Sequence, residues 1–149
     1  MTEVKFGDYN FRTEDRDGKK FIFDEVRRKF ISLTSEEWVR QNVIHYLIYD
    51  RKFSKSLIAV ERGIELNGLQ KRFDVVVFGN DGNPKMIIEC KASEEKLDGK
   101  VFEQIARYNL SLNVDYLWVT NGVFNFCCKL KNKIELLKEV PSTKEINGL

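Results

Sequence analysis

The chain has 149 residues, 42% of them apolar and 32% charged, and a formal net charge of +2. That is enough chain for one domain with an ordinary core, and the apolar content excludes wholesale disorder. No apolar run reaches the ~20 residues of a membrane span. The mixed-charge N-terminus has no apolar signal-peptide core, so a cytoplasmic protein is expected. A charge near zero permits nucleic-acid binding without arguing for it, since the usual signature is a pI above ~9.

Taken in chain order, residues 1–30 alternate short aromatic runs with charges and are expected to form a strand or a lead-in turn. "LTSEEWVRQNVIHYLIYD" then carries Trp38, Val39, Val43, Tyr46 and Leu47 at helical spacing. Thr34 followed by Glu37 makes a capping box, which starts the helix near Ser35. "SLIAVERGIEL" is expected as a strand ending at an Asn67-Gly68 turn, and "RFDVVVF" and "KMIIECKA" are the strongest strand signals. Between those two lies Asp81-Gly82, the preferred dipeptide of a type I′ hairpin.

"KVFEQIARYNLSL" places Phe102, Ile105, Ala106 and Leu110 on a second helical stripe. "VDYLWVT" is a buried strand stopped at Asn121-Gly122, "VFNFCCKL" and "KIELLKEV" are closing strands, and 141–149 is expected as a loose tail. The order predicts a mixed α/β domain around a central, largely antiparallel sheet. Trp38, Tyr46, Phe102, Trp118 and Phe124 fall at core spacing, while Phe6, Tyr9 and Phe11 are expected to pack on the sheet edge. Cys90, Cys127 and Cys128 make no disulfide framework, and with His45 as the single histidine a zinc site is not expected. The thiols are taken as small buried apolar groups. His45 is taken as a packed or surface residue, and no nucleophile-elbow motif accompanies it.

The Asp81-Gly82 turn sets a register. If Asn80 pairs with Asn83, counting back along both strands puts Asp74 directly across from Glu89, with Lys91 on the same face. Pro84 then falls opposite Gly79, at a pair that needs no N–H. Met86, Ile88, Cys90 and Ala92 occupy the other face and are expected to meet the core. Two carboxylates at a Cα spacing of ~5.5 Å repel, and burial raises that cost unless a cation lies between them. Lys91 supplies one positive charge; a hard divalent ion, magnesium or manganese, would supply two more. The competing account is a surface salt-bridge ladder in which Lys91 relieves its acidic neighbours.

At Asp74 and Glu89-Cys90-Lys91 the chain resembles the PD-(D/E)xK nucleases. Together, "SEEWVRQNVIHYLI", "AVERGIEL", "RFDVVVF", "IIECKAS", "FEQIARYN" and "VTNG" are similar, in order over about residues 33 to 125, to the N-terminal nuclease domain of type I restriction enzyme restriction subunits. The resemblance implies a restriction-endonuclease-like core and a magnesium-dependent phosphodiesterase site. It implies Asp74, Glu89 and the Cys90 backbone carbonyl as metal ligands and Lys91 as the catalytic lysine. Glu37 matches a family acid that completes the metal shell, though the capping box explains it equally. Gln104 and Tyr108 match the family's QxxxY element, Gln104 beside the metal and Tyr108 in support. Arg40 is either a salt-bridge partner within its helix or a contact to the site.

The motif's proline is replaced by Phe73, and "GIELNGLQK" has Leu-Gln where a P-loop needs Lys-Ser/Thr, so no ATP-driven motor is expected from this chain. The expected activity is metal-dependent hydrolysis of DNA. The alternative is a non-catalytic DNA-binding or protein-binding module of a larger restriction or repair assembly. Partners would be DNA, other subunits of such an assembly, or a second copy of the chain.

Overall fold

A computed structural model describes residues 1–149. The N-terminal stretch is more ordered than a lead-in: β1 (Thr13–Arg16), β2 (Lys19–Asp24) and β3 (Lys29–Ser32) form an antiparallel meander. Asp17-Gly18 joins the first two strands with both residues at positive φ, the type I′ geometry that this dipeptide favours. Asn67-Gly68 does the same further on, as expected. The outer face of the meander carries Phe21, Phe23 and Phe30, over which the guanidinium groups of Arg12 and Arg16 lie at 5.0–5.2 Å.

Helix α1 (Ser35–His45) starts where predicted, with Thr34 accepting a hydrogen bond from the Glu37 N–H, and it widens into a π-helical turn over Tyr46–Asp50. A six-stranded sheet follows: β4 (Ile58–Leu66), β5 (Leu69–Phe78), β6 (Pro84–Cys90), β7 (Tyr116–Thr120), β8 (Asn125–Lys129) and the two-residue β9 (Glu135–Leu136), in that spatial order. Every neighbouring pair is antiparallel except β6 and β7, which are parallel. Parallel neighbours need a crossover, and α2 (Gly99–Asn109) supplies it.

Helices cover both faces of the sheet, so its strands are near-continuous apolar runs rather than clean alternations. On one face Val39, Val43, Ile44 and Leu47 of α1 and its π turn pack over Val75, Val77, Met86, Ile88 and Trp118. On the other, Phe102 and Ala106 of α2 pack over Val76, Ile87, Leu117 and Val119. Cys90, Cys127 and Cys128 are buried free thiols, and burial pushes all three thiol pKa values up.

Several expectations change. Residues 141–149 are not a loose tail. Ser142 and Glu145 form a capping box on the short helix α3 (Thr143–Ile146), and Val140 and Ile146 enter the α1-side core. Trp38, Phe124 and Leu110 are exposed rather than core. Trp38 lies one step off the buried stripe of α1 and meets Phe11 instead. The α2 stripe ends at Asn109, where the chain tightens into a 3-10 turn and Leu112 takes the buried place expected of Leu110.

The β5–β6 turn is also not type I′. The Gly82 N–H donates to the Gly79 carbonyl and only Gly82 has positive φ, so the loop is one residue longer than predicted. Pro84 then pairs with Phe78 rather than Gly79, and a bulge at Lys85 takes up the extra residue. From Val77↔Met86 through Val75↔Ile88 the register is the predicted one. No helix is long and apolar enough to cross a membrane.

Candidate active site

Ladder pairing between β5 and β6 ends at Val75↔Ile88. One step further, where Asp74 and Glu89 were expected to face each other in a rung, the strands part: β5 continues with β4, and β6 stays with β7 through Glu89↔Val119 and Cys90↔Thr120. The β4–β5 ladder also skips Asp74, because Glu61 opposite it adopts a φ of +49°. A left-handed conformation costs an L-residue ~1–2 kcal/mol, and such outliers gather at functional sites. Asp74 is therefore free of rungs on both sides, at the mouth of a fork.

Its carboxylate fills the gap. Oδ2 accepts a hydrogen bond from the Cys90 N–H at 2.8 Å, and Oδ1 lies 3.7 Å from Arg40 Nη2. Burial raises the Asp74 pKa; the Cys90 N–H, Arg40 and Lys91 pull it back without cancelling the rise, and Glu61 adds to it. Glu89 Oε1 lies 3.9 Å from Lys71 Nζ, and the side chains of Glu89 and Lys91 are about a quarter exposed. Lys91 Nζ is 3.9 Å from Glu95, while its backbone N–H ties the end of β6 to the Thr120 carbonyl. Glu89, Lys91, Gln104 and Tyr108 all line one depression of about 480 Å³ between the sheet and α2. Gln104 and Tyr108 thus share the face expected of them, and Tyr108 is 75% exposed.

Glu37 is not brought to this depression. Its N–H takes half of the capping box, but its carboxylate turns inward, where Oε2 accepts from Arg27 Nη2 at 2.8 Å and Gln41 Nε2 at 3.0 Å. The same buried cluster holds Asp24, which accepts from the Val26 and Arg27 N–H groups, the Arg27 guanidinium and Gln41. Arg40, 3% exposed, joins cluster to fork: Nη1 is 3.6 Å from Glu37 and 3.1 Å from Glu61, and Nη2 faces Asp74. It is both a partner within its helix and a contact to the site. His45 is packed against Tyr9, Phe11 and Tyr49, away from the fork, and burial lowers its pKa. Phe6 packs on Tyr46 and Trp118.

Two acids at the fork were missed. Glu36 has its pKa raised by burial and then by the Asp74 charge, with Arg40 pulling it partly back. The capping spacing drew attention to Glu37, yet neighbouring helical residues point ~100° apart, and it is the uncapped acid that faces out. Glu61 had no motif to mark it.

Asp74, Glu89 and the Cys90 carbonyl are oxygen donors of the kind a hard cation takes, but Glu89 lines the depression whereas Asp74 does not, its carboxylate turning to the Cys90 N–H and Arg40. No three Asp, Glu, His or Cys side chains converge as a closed cage. Magnesium commonly binds one or two carboxylates and keeps several waters.

A mixed sheet covered by helices on both faces, with Asp74 and Glu89-Cys90-Lys91 at a strand fork, is a restriction-endonuclease-like fold. The chain belongs to the type I restriction enzyme R protein N terminus family (HSDR_N), whose profile matches residues 35–141. That match runs past the similarity seen in the sequence to include β8, β9 and the buried Val140. Among solved structures, the chain is similar to a fragment from Vibrio vulnificus YJ016 provisionally assigned as the HsdR subunit of a type I restriction enzyme. The two are 18% identical with a TM-score of 0.53, covering 76% of this chain and 24% of that one. At that identity the likeness shows the fold alone, and this chain spans about a quarter of the other's length. No curated protein matches the sequence significantly.

Proposed function

We propose that this domain hydrolyses phosphodiester bonds in DNA with magnesium or manganese as cofactor, as the nuclease part of a restriction or repair assembly. The reading is supported by two observations: ladder pairing stops short of Asp74 and Glu89, and Glu89 lines a depression with Lys91 and Gln104. Asp74, Glu89 and the Cys90 carbonyl would hold the cation, which when bound supplies a water of lowered pKa and offsets phosphate charge. Lys91 holds a point charge beside the scissile phosphate and orients the attacking water, and Gln104, an amide able to donate to phosphate and accept from water, faces the same space. Arg40 positions Asp74, and Tyr108 borders the groove. Glu36, rather than the inward-turned Glu37, would be the α1 acid that completes the site.

A second reading has its own support. Asp74 and Glu89 already face the cations Arg40 and Lys71, which suits a module that binds DNA or a protein without cutting. Nicking of supercoiled plasmid in Mg²⁺ and in Mn²⁺ separates the two. The nuclease reading expects wild-type nicking that Lys91→Ala reduces by ~10²–10³-fold, the scale of one lost electrostatic donor. Wild-type protein that binds DNA but leaves the plasmid intact in both metals establishes the binding module instead.

A further inference from the structure

Lys71 lies on β5, three residues before Asp74, and no sequence motif marks it. Its ammonium sits 3.9 Å from Glu89 Oε1 and 3.2 Å from Asn109 Oδ1. Asn109 is fully buried and fixed, its Nδ2 donating to the Ile105 carbonyl at 2.8 Å. Two aromatic rings bracket the ammonium, Tyr108 at 4.8 Å and Phe73 at 5.2 Å from its nitrogen. So the lysine is held from below by one neutral acceptor and two ring faces, and its contact with Glu89 is too long for a hydrogen bond. It lines the same depression as Glu89, Lys91 and Gln104.

We propose that Lys71 is a phosphate-binding residue of this site that rests on Glu89 until a divalent cation takes that carboxylate. The proposal rests on the nuclease reading above. Two cations cannot share one face of Glu89 at little cost, so metal entry repels the ammonium. The ammonium stays held by Asn109 and the two rings, and its charge, no longer offset by Glu89, faces the open side of the depression. There Lys71 and Lys91 flank Glu89, giving a DNA strand two cationic contacts. Lys71 therefore opposes metal binding in the free protein and promotes DNA binding once metal is present.

The test uses the full chain with Lys71→Met, which keeps the aliphatic stem, and Lys71→Arg, which keeps the charge. Calorimetric titration with Mn²⁺ should show Lys71→Met binding about two- to fivefold tighter than wild type, the range of a part-exposed ion pair. In Ca²⁺, the salt dependence of binding to a short DNA duplex should lose a slope of about one in Lys71→Met and keep it in Lys71→Arg. If the Mn²⁺ affinity or the salt slope of Lys71→Met equals that of wild type, the proposal is overturned while the nuclease reading stands. If wild-type protein takes up no Mn²⁺, the nuclease reading fails and Lys71 falls with it.

Discussion

Asp74 combines two demands that conflict. Its burial and the neighbouring Glu61 raise its pKa, so the folded chain holds that proton more tightly than the unfolded chain does. For a carboxyl whose folded pKa lies above its unfolded one, the stabilising contribution is present at low pH and is lost as pH rises through the folded value. At neutral pH the ionised Asp74 therefore weakens the fold, which suits a group kept for a cation rather than for packing. Asp74→Asn retains an oxygen to accept from the Cys90 N–H and removes the charge. Its melting temperature at pH 7 should exceed that of wild type, by roughly the 0.5–2 kcal/mol typical of a stabilising substitution, while Mn²⁺ binding disappears. A lowered melting temperature would show that Asp74 is held as a structural anion. The hairpin count reached the observed register from Val77↔Met86 to Val75↔Ile88 through the wrong turn, because the bulge at Lys85 takes up the extra loop residue, and it missed that the ladder ends before Asp74 and Glu89. What no spacing contains is where each carboxylate turns once Arg40 and Lys71 arrive from elsewhere in the chain.

Among the elements, the N-terminal meander was the least legible. Its strands are short, and charged residues fill most of their exposed positions, so neither period stands out. Its signal was Asp17-Gly18, the same dipeptide that misled at Asp81-Gly82, where a longer loop with a bulge was favoured. The meander is fastened to α1 through Asp24, which is fully buried. Burial alone would raise the Asp24 pKa, but the Arg27 N–H and guanidinium and the Gln41 amide outweigh it and hold the carboxyl below its usual value. A depressed carboxyl contributes stability above its unfolded pKa and loses it as pH falls through the folded one. Asp24→Ala removes one of the two carboxylates that Arg27 and Gln41 share, leaving them Glu37, and it should cost about 1–3 kcal/mol, the range for hydrogen bonds to a charged group lost from a buried cluster. Urea denaturation at pH 7 measures it; a loss within the range of surface substitutions would mean that the meander is not anchored there.

For the molecule as a whole, the two carboxyls pull the acid limb of stability in opposite directions, and wild type against Asp74→Asn should separate them as melting temperature is followed from pH 7 to pH 3. The C-terminal residues belong to this whole: Ile146 is 3% exposed in the α1-side core. Ile146→Ala should destabilise by about 2–5 kcal/mol, as for other buried Ile or Leu truncations, and an unchanged denaturant midpoint would return residues 141–149 to the status of a tail. The central sheet was legible because its strands are apolar runs bounded by turns, whereas the tail's Ser142-to-Glu145 box is too short a signal to separate a helix from a chain end. The hairpin between β5 and β6 has a further consequence for descent. Lys85 is a spare residue: Phe78↔Pro84 and Val77↔Met86 bracket it, and the strands on either side are already in step. A lineage can lose Lys85 and keep Glu89 and Lys91 on the α2 side of the sheet. The loss of a single residue beyond Met86 has no such outlet, because it would turn one acid toward α1 and put a core aliphatic in its place.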